Sequence, residues 1–315
     1  MASDLSITSN YAGELALPYV AAAIISGDTI AKGYVTLHEN VKFKANISKL
    51  ALASLVQAAS GGDNCDFEKG VSTAGITEAV LQVTDLKTNL ELCKNQFARQ
   101  WEALNTGRGF INDTLPTTFA DFLMAQLALE ISANIERQIW VGNFSASVGG
   151  ASGFTSFDGL LTKIAAAKGA PDYNIAAALT TANIMTAIDG VVATIPTALI
   201  GSPLTKCYMS AKTAQLYKQA LMNQLSVGGP LTPASLEMIN NVYGYEIYVC
   251  PGFSNDVIMF GQVSNLHVGC DLVSDMNEVK VIDMSMTDGS DNVRVAMKYR
   301  VGTAIGFASD IAIGY

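Results

Sequence analysis

Residues 116–141 read PTTFADFLMAQLALEISANIERQIWV, and this stretch says more about the fold than any other part of the chain. Its length and apolar spacing predict one amphipathic helix of about seven turns. Apolar residues recur at every fourth position in an unbroken row: Phe119, Leu123, Leu127, Ile131, Ile135 and Ile139. Beside the row lie Phe122, Leu129 and Trp140. Such a row drifts by roughly 40° per step, so its two ends are expected to pack on different neighbours. A helix of this kind is shared between substructures.

Both ends of this helix carry sequence signals. Pro116 suits a first helical turn, and Thr118 with Asp121 fits a capping pattern. Gly142 directly follows the last apolar residues, where glycine often ends a helix.

The region before the helix predicts a long two-stranded projection. Residues 33–47 and 77–90 alternate as strands do, while 59–75 is rich in turn-forming residues and predicts the tip. Residues 48–58 are apolar at mixed spacing, which leaves a strand and a short helix open. An isolated hairpin is barely stable in water, so we expect this projection to lie on another copy of the chain. Residues 1–32 show no clear period and are expected to form an arm on a neighbouring copy.

The region after the helix alternates helices and strands, which indicates an α+β architecture. We expect helices at 182–195 and 211–223, strands at 206–209, 245–250 and 256–260, and a Gly/Pro-rich loop at 226–233.

The C-terminal segment contains the second clear period. Alternation over 293–301 predicts a strand, and the turn-forming residues 288–291 predict a hairpin with 279–284. Its polar face carries Arg294, Lys298 and Arg300. Three roles stay open for them: contact with DNA, contact with a neighbouring carboxylate, or ordinary solvation. Small residues after Gly302 suggest close approach of a helix, for which the helix at 116–141 is the candidate.

Composition narrows the class of protein. The chain has 315 residues, half of them apolar and 15% charged, enough for a sizeable core in about two domains. A net charge of −9 argues against a protein that grips nucleic acid through a basic face. The apolar run at 15–26 is too short to cross a bilayer. Because no positively charged residue precedes Lys32, we do not expect a secretory signal.

Chemical signatures are missing from the sequence. His38 and His267 stand in unrelated contexts, and phosphate-binding, nucleophile-elbow and dinucleotide motifs are absent. The five cysteines contain no C-x-x-C, so no zinc site is expected and most should be small buried side chains. Cys65 and Cys93 flank the projection and could approach each other. We therefore expect no catalytic residues, no cofactor and no metal.

Several segments, in order along the chain, carry a family resemblance. The helix ending ERQIWVGN, followed by GFTSFDGLLTKI, resembles the spine-helix region of tailed-bacteriophage major capsid proteins of the Johnson fold. LQVTDLKTNLELCKNQFARQW resembles the segment that leaves the extended loop in crAss-like and related phages. YMSAKTAQLYKQAL is similar to the strand and helix of the axial domain, and NVRVAMKYRVGTAIGFASDIAIGY to the closing strand of the peripheral domain.

The resemblance implies a division of the chain and a set of assembly residues. The parts are an N-terminal arm (1–32), an extended loop (33–92), a peripheral domain (93–180) with the spine helix (116–141), an axial domain (181–284) and C-terminal strands returning to the peripheral domain (285–315). Assembly candidates, besides the spine row, are the extended-loop tip (Gly61, Gly62, Asp63, Phe67, Lys69), the axial tip (Gly228, Gly229, Pro230) and the basic strand face (Arg294, Lys298, Arg300).

The resemblance also implies a structural role. The expected protein is a major capsid protein that forms pentamers and hexamers of an icosahedral shell around double-stranded DNA, bound without sequence specificity. Expected partners are further copies, a portal, a scaffold, a maturation protease and cement proteins, in a virion assembled in the bacterial cytoplasm, with no membrane. Two alternatives are an encapsulin-type nanocompartment shell of the same fold and a globular enzyme.

Overall fold

A computed structural model describes residues 9–12, 27–53, 73–93, 117–143, 145–146, 150–151, 154–228, 240–271, 278–284, 287, 289–290 and 292–315. The helices are α1 (Asp28–Ala31), α2 (Thr117–Val141), α3 (Leu160–Lys168), α4 (Ile184–Ala193) and α5 (Ala211–Gly228). The strands are β1 (Ser9–Ala12), β2 (Thr36–His38), β3 (Lys44–Ala53), β4 (Thr73–Gln82), β5 (Thr84–Cys93), β6 (Ser145–Ala146), β7 (Gly150–Ala151), β8 (Thr205–Met209), β9 (Asn241–Val242), β10 (Tyr245–Val249), β11 (Ile258–Gln262), β12 (Leu266–Asp271), β13 (Glu278–Asp283), β14 (Asn292–Ile305) and β15 (Ala312–Gly314).

The larger sheet is organised around β14. Its order is β1-β13-β14-β12-β2, and β5 pairs with β14 as a sixth strand. Val295 pairs with both Val281 of β13 and Leu90 of β5, so these two strands lie on opposite sides of β14. The predicted alternation is confirmed: the odd-numbered residues of 293–301 are buried, and the predicted hairpin partners 279–283 do pair with β14.

The second sheet has the order β15-β11-β8-β10-β9, and its core includes side chains of α4 and α5. The strands do not divide between the two sheets at the domain boundaries that the resemblance implies. Strands β12 and β13 fall within 181–284 yet belong to the larger sheet, and β15 falls within 285–315 yet belongs to the second. The chain thus crosses between the sheets more often than a division into consecutive segments allows.

The projection is a separate two-stranded sheet of β3 and β4, with ten residue pairs from Lys44↔Gln82 to Ala53↔Thr73. The open choice at 48–58 is resolved in favour of a strand as far as Ala53. The expectation that the second strand continues to Leu90 is wrong. After Val83 the chain enters β5, which pairs over its whole length with β14.

The N-terminal segment also differs from the predicted arm. Ser9–Ala12 pair with β13 of the same chain, and residues 28–31 form a short helix. Ser9–Ala12 lie on their own subunit because they pair with the edge of β13, and the short helix is held there by the hydrogen bonds between Thr29 and Glu136.

Candidate assembly surfaces

The spine helix α2 supplies the centre of the first core. The predicted helix is confirmed, and Ile131, Ile135 and Ile139 are buried while Leu127 is partly buried. The side chains of Phe119 and Leu123 lie outside the described residues. Of the residues beside the row, Trp140 is buried and Leu129 is 60% exposed. Leu129 therefore lies on the side of the helix away from the core.

A polar cluster fastens the chain before β2 to this helix. Glu136 is buried and accepts hydrogen bonds from the backbone amide of Thr29 (3.1 Å) and from the Thr29 hydroxyl. The indole of Trp140 donates to the same hydroxyl over 2.8 Å. Burial raises the pKa of the Glu136 carboxyl, although the hydrogen bonds from Thr29 act in the opposite direction. Sequence reasoning missed this site, because a glutamate in a helix gives no sign of its burial.

The end of the spine helix requires glycine for a close backbone approach. The amide of Gly142 donates to the carbonyl of Gln138, and the amide of Gly159 donates to Gly142 over 2.8 Å. A Cβ at Gly142 would collide with the carbonyl oxygen of Phe157. The predicted helix end at Gly142 is confirmed, and the approach brings the start of α3 against the end of α2.

The projection is held by its own subunit near its base and at its middle. Lys49 forms an ion pair with Asp310 and lies 4.6 Å from the ring centre of Phe307. Leu81 is fully buried in a small cluster with Ala304. One face of the projection thus has partners within the chain.

The other face of the projection is exposed and carries apolar side chains among polar ones such as Glu78. Ile76 is 70% exposed and Val80 48% exposed, and both lie on the same face of β4 because they are four residues apart. Phe43, just before β3, is also exposed. The predicted tip residues Gly61, Gly62, Asp63, Phe67 and Lys69 lie outside the described residues.

The predicted axial tip is placed only in part. Residues 226–228 belong to α5, so the expected loop at 226–233 is wrong at its start, and Gly228 is the last helical residue. Helix α5 continues because no proline interrupts it before Pro230. Gly229 and Pro230 lie outside the described residues.

The basic strand face is paired within the chain. Arg294 donates to Glu91 over 3.0 Å, and Arg300 forms ion pairs with Asp85 and with the buried Asp271. Lys298 is exposed and lies between Glu278 and Lys87 in the sheet. Of the three roles left open, contact with a neighbouring carboxylate is therefore the one that the structure shows for both arginines.

The small residues after Gly302 contact other elements than the spine. A Cβ at Gly302 would collide with the carbonyl oxygen of Gln82, and Thr303 donates to the carbonyl of Asp158 over 2.6 Å. The helix that approaches β14 here is α3 and not the spine, since Lys163 of α3 donates to the carbonyl of Thr303 beside the end of β4.

The two histidines are neighbours in space, so the expectation of unrelated contexts is wrong. Parallel pairing of β2 with β12 brings His38 Nε2 to 3.0 Å from His267 Nδ1. Burial, together with the electrostatic effect of the neighbouring His38, lowers the pKa of His267 to about 4. Two residues 229 positions apart give no local signal, which is why the sequence did not reveal the contact.

Three of the four described cysteines, Cys207, Cys250 and Cys270, are buried free thiols, as expected. Burial raises their pKa values, which makes the thiolate unfavourable. Cys93 is free and half-buried, and Cys65 lies outside the described residues. In the described part of the chain, no three metal-ligating side chains come together and no helix is long and apolar enough to cross a membrane.

Comparison of the whole chain with solved structures identifies the fold. A chain of the satellite phage P4 procapsid, in a structure including the size determination protein Sid, matches with a TM-score of 0.61 over 94% of this chain and 89% of that chain, at 10% identity. A chain of the capsid of Myoviridae phage XM1 matches with a TM-score of 0.56 over 91% of each chain, at 13% identity. The chain has the fold of tailed-phage major capsid proteins.

This Johnson-type capsid fold recurs in a chain from Mycobacterium phage Bobi, with a TM-score of 0.54, 12% identity and coverage of 91% of this chain and 90% of that one. No protein-family model and no curated protein sequence matches the chain. The similarity to the capsid proteins thus lies in the arrangement of helices and strands.

Proposed function

We propose that the chain is a structural major capsid protein. In this role it self-assembles into pentamers and hexamers of an icosahedral shell that encloses packaged double-stranded DNA. The observation that carries the proposal is that a chain with a capsid fold has a two-stranded projection with one exposed face. One face of β4 exposes the apolar side chains of Ile76 and Val80, with Glu78 between them, while the other face is fixed to its own subunit. Such a face is stabilised when many copies cover one another.

The proposal is tested by the state of the purified chain. Size-exclusion chromatography and negative-stain microscopy should find pentamers, hexamers or closed shells. A single monomeric species of 33.2 kDa, at micromolar concentration and in several salts, would contradict the proposal.

The finer partners follow from the resemblance and belong to the same proposal. They are a portal, a scaffold, a maturation protease and cement proteins, in a virion whose shell assembles in the bacterial host cytoplasm. Contact with DNA would be independent of sequence. The net charge of −9 supports weak contact, because an acidic shell repels packaged DNA rather than binding it.

A further inference from the structure

Both histidines of the chain meet at one edge of the larger sheet. The edge strand β2 pairs in parallel with β12, and the register sets His38 beside Gly269, two residues after His267. Side chains two residues apart on a strand point to the same face of a sheet. The two imidazole rings therefore lie on one face.

The two rings present nitrogen atoms to each other. His38 Nε2 lies 3.0 Å from His267 Nδ1, and the ring centres are 5.1 Å apart. In a hydrogen bond between two neutral rings, one of these nitrogens carries a proton and the other accepts it. Each neutral ring can also carry its proton on the other nitrogen. Two lone pairs then face the same small space, as they do around a metal ion.

The spacing of the rings suits a shared transition-metal ion. Imidazole nitrogens bind zinc at about 2.0–2.1 Å, so two of them on a tetrahedral ion are about 3.3–3.4 Å apart, with ring centres about 5.2 Å apart. The nitrogen atoms, now 3.0 Å apart, have to separate by about 0.3–0.4 Å. The ring centres, 5.1 Å apart, are already close to the required separation. A small rotation of the rings therefore forms the site, and the strands need not move apart.

The pair is confined on one side and accessible on the other. His267 is buried, and a Cβ at Gly306 would lie 3.6 Å from its Nε2, so the end of β14 limits the position of this ring. His38 is half-buried and lines a groove of about 700 Å³ together with its neighbours in 37–45. No third metal-ligating side chain joins the pair in the described part of the chain. The groove gives an ion a path to the rings and has room for water as the remaining ligands.

We propose that His38 and His267 together bind one divalent transition-metal ion, of the class of Zn²⁺, Ni²⁺ and Cu²⁺, with water completing its coordination. Imidazole nitrogen is a preferred ligand of these ions. The bound ion joins the edge strand β2 to β12, and β2 leads through residues 39–43 into the projection. The site is independent of the proposed function, because a single subunit contains both ligands. The sequence predicted no metal site because these ligands are 229 positions apart.

Zinc binding to the purified full chain tests the proposal, because the chain contains no other histidine. The parent chain for all measurements carries Cys65→Ser and Cys93→Ser, since thiolates bind zinc and the other three cysteines are buried. Isothermal titration calorimetry should find one zinc ion per parent chain. His38→Gln should weaken the affinity at least tenfold, because glutamine can keep a hydrogen bond to His267 but supplies no imidazole nitrogen. His267→Gln should weaken it as much.

Glu39→Gln is the matched control, because it removes a charge next to His38 and keeps both rings. This control should bind zinc as the parent chain does. Thermal unfolding gives a second readout, since an ion that binds only the folded chain stabilises it. Excess zinc should raise the melting temperature of the parent chain and of Glu39→Gln by several degrees, and leave that of His38→Gln unchanged. No binding to the parent chain, equal affinity of the parent chain and His38→Gln, or equal weakening by Glu39→Gln would overturn the proposal.

Discussion

The carboxylate of Glu136 accepts hydrogen bonds from the backbone amide and from the hydroxyl of Thr29, a residue 107 positions earlier. This contact joins the start of the described N-terminal segment to the middle of the chain. No described lysine, arginine or histidine forms an ion pair with Glu136, and the acidic Asp28 is nearby. Burial of a carboxylate without a counterion favours its neutral form.

Replacing Glu136 by glutamine should change how stability depends on pH. Because the pKa of Glu136 is raised in the folded protein, its stabilising contribution is present at low pH and is lost as the pH rises through the raised value. Glu136→Gln stays neutral and can still accept a hydrogen bond from Thr29. The free energy of unfolding of the wild type, relative to this variant, should therefore decrease as the pH rises. Denaturant unfolding over a pH series measures this difference.

Glu130→Gln provides the control on the same helix, since Glu130 is exposed. The free energy of unfolding of Glu130→Gln, plotted against pH, should run parallel to that of the wild type. If Glu136→Gln also runs parallel to the wild type, the buried carboxylate does not titrate with folding.

His267 should make the free energy of unfolding depend on pH in the opposite direction. Its pKa is lowered from 6.5 to about 4, because burial and the nearby His38 disfavour the protonated ring. The folded state therefore loses stability as the pH falls from 6.5 towards 4. His267→Asn removes this titration, so acid should destabilise the variant less than the wild type. Thermal unfolding at several acidic pH values tests this, and an identical acid dependence of both chains would contradict it.

Gly142→Ala should destabilise the junction of α2 and α3. A Cβ there would collide with backbone carbonyl oxygens of Phe157 and Gln138, which cannot move as a flexible side chain can. Overpacking of this kind costs about 1–3 kcal/mol or more. Gly75→Ala in β4 is the matched control, because no atom lies within 4 Å of its added Cβ. Equal free energies of unfolding for the two variants would show that the close approach is not required.

Replacing residues 61–70 by a short Gly-Ser turn should separate folding from assembly. Shortening a loop changes its closure entropy by only about 0.6 kcal/mol per halving, so the subunit should still fold. Shells should fail to form or be fragile, because each contact of the projection would recur around every capsomer. Circular-dichroism melting and microscopy of the lysate measure the two effects. An unfolded subunit, or normal shells, would contradict this prediction.

Local periodicity explains which parts of the fold could be predicted. The spine helix has a long row at i+4 spacing, and strand β14 has strict alternation, so each element is determined by nearby residues. The end of the projection could not be predicted, because 77–90 alternates on both sides of Val83. Only tertiary pairing with β14 shows that β5 belongs to another sheet.

The candidate assembly surfaces could be predicted less well, because their contacts join residues that are far apart in the sequence. The Thr29–Glu136 and His38–His267 contacts each join residues more than a hundred positions apart. The pairing of Arg294 with Glu91 likewise depends on a strand register that the sequence leaves undetermined. Residue type alone suggested possible roles for these side chains, and tertiary structure supplied their partners.

Because a single residue separates β4 from β5, force on the projection is transmitted directly to the larger sheet. A pull on the hairpin along its length passes through Val83 directly into β5. A load directed along β5 would act perpendicular to its hydrogen bonds with β14, so ten residue pairs would resist together in shear instead of opening one after another. Internal pressure on a shell linked through such hairpins would be shared among the central sheets of its subunits.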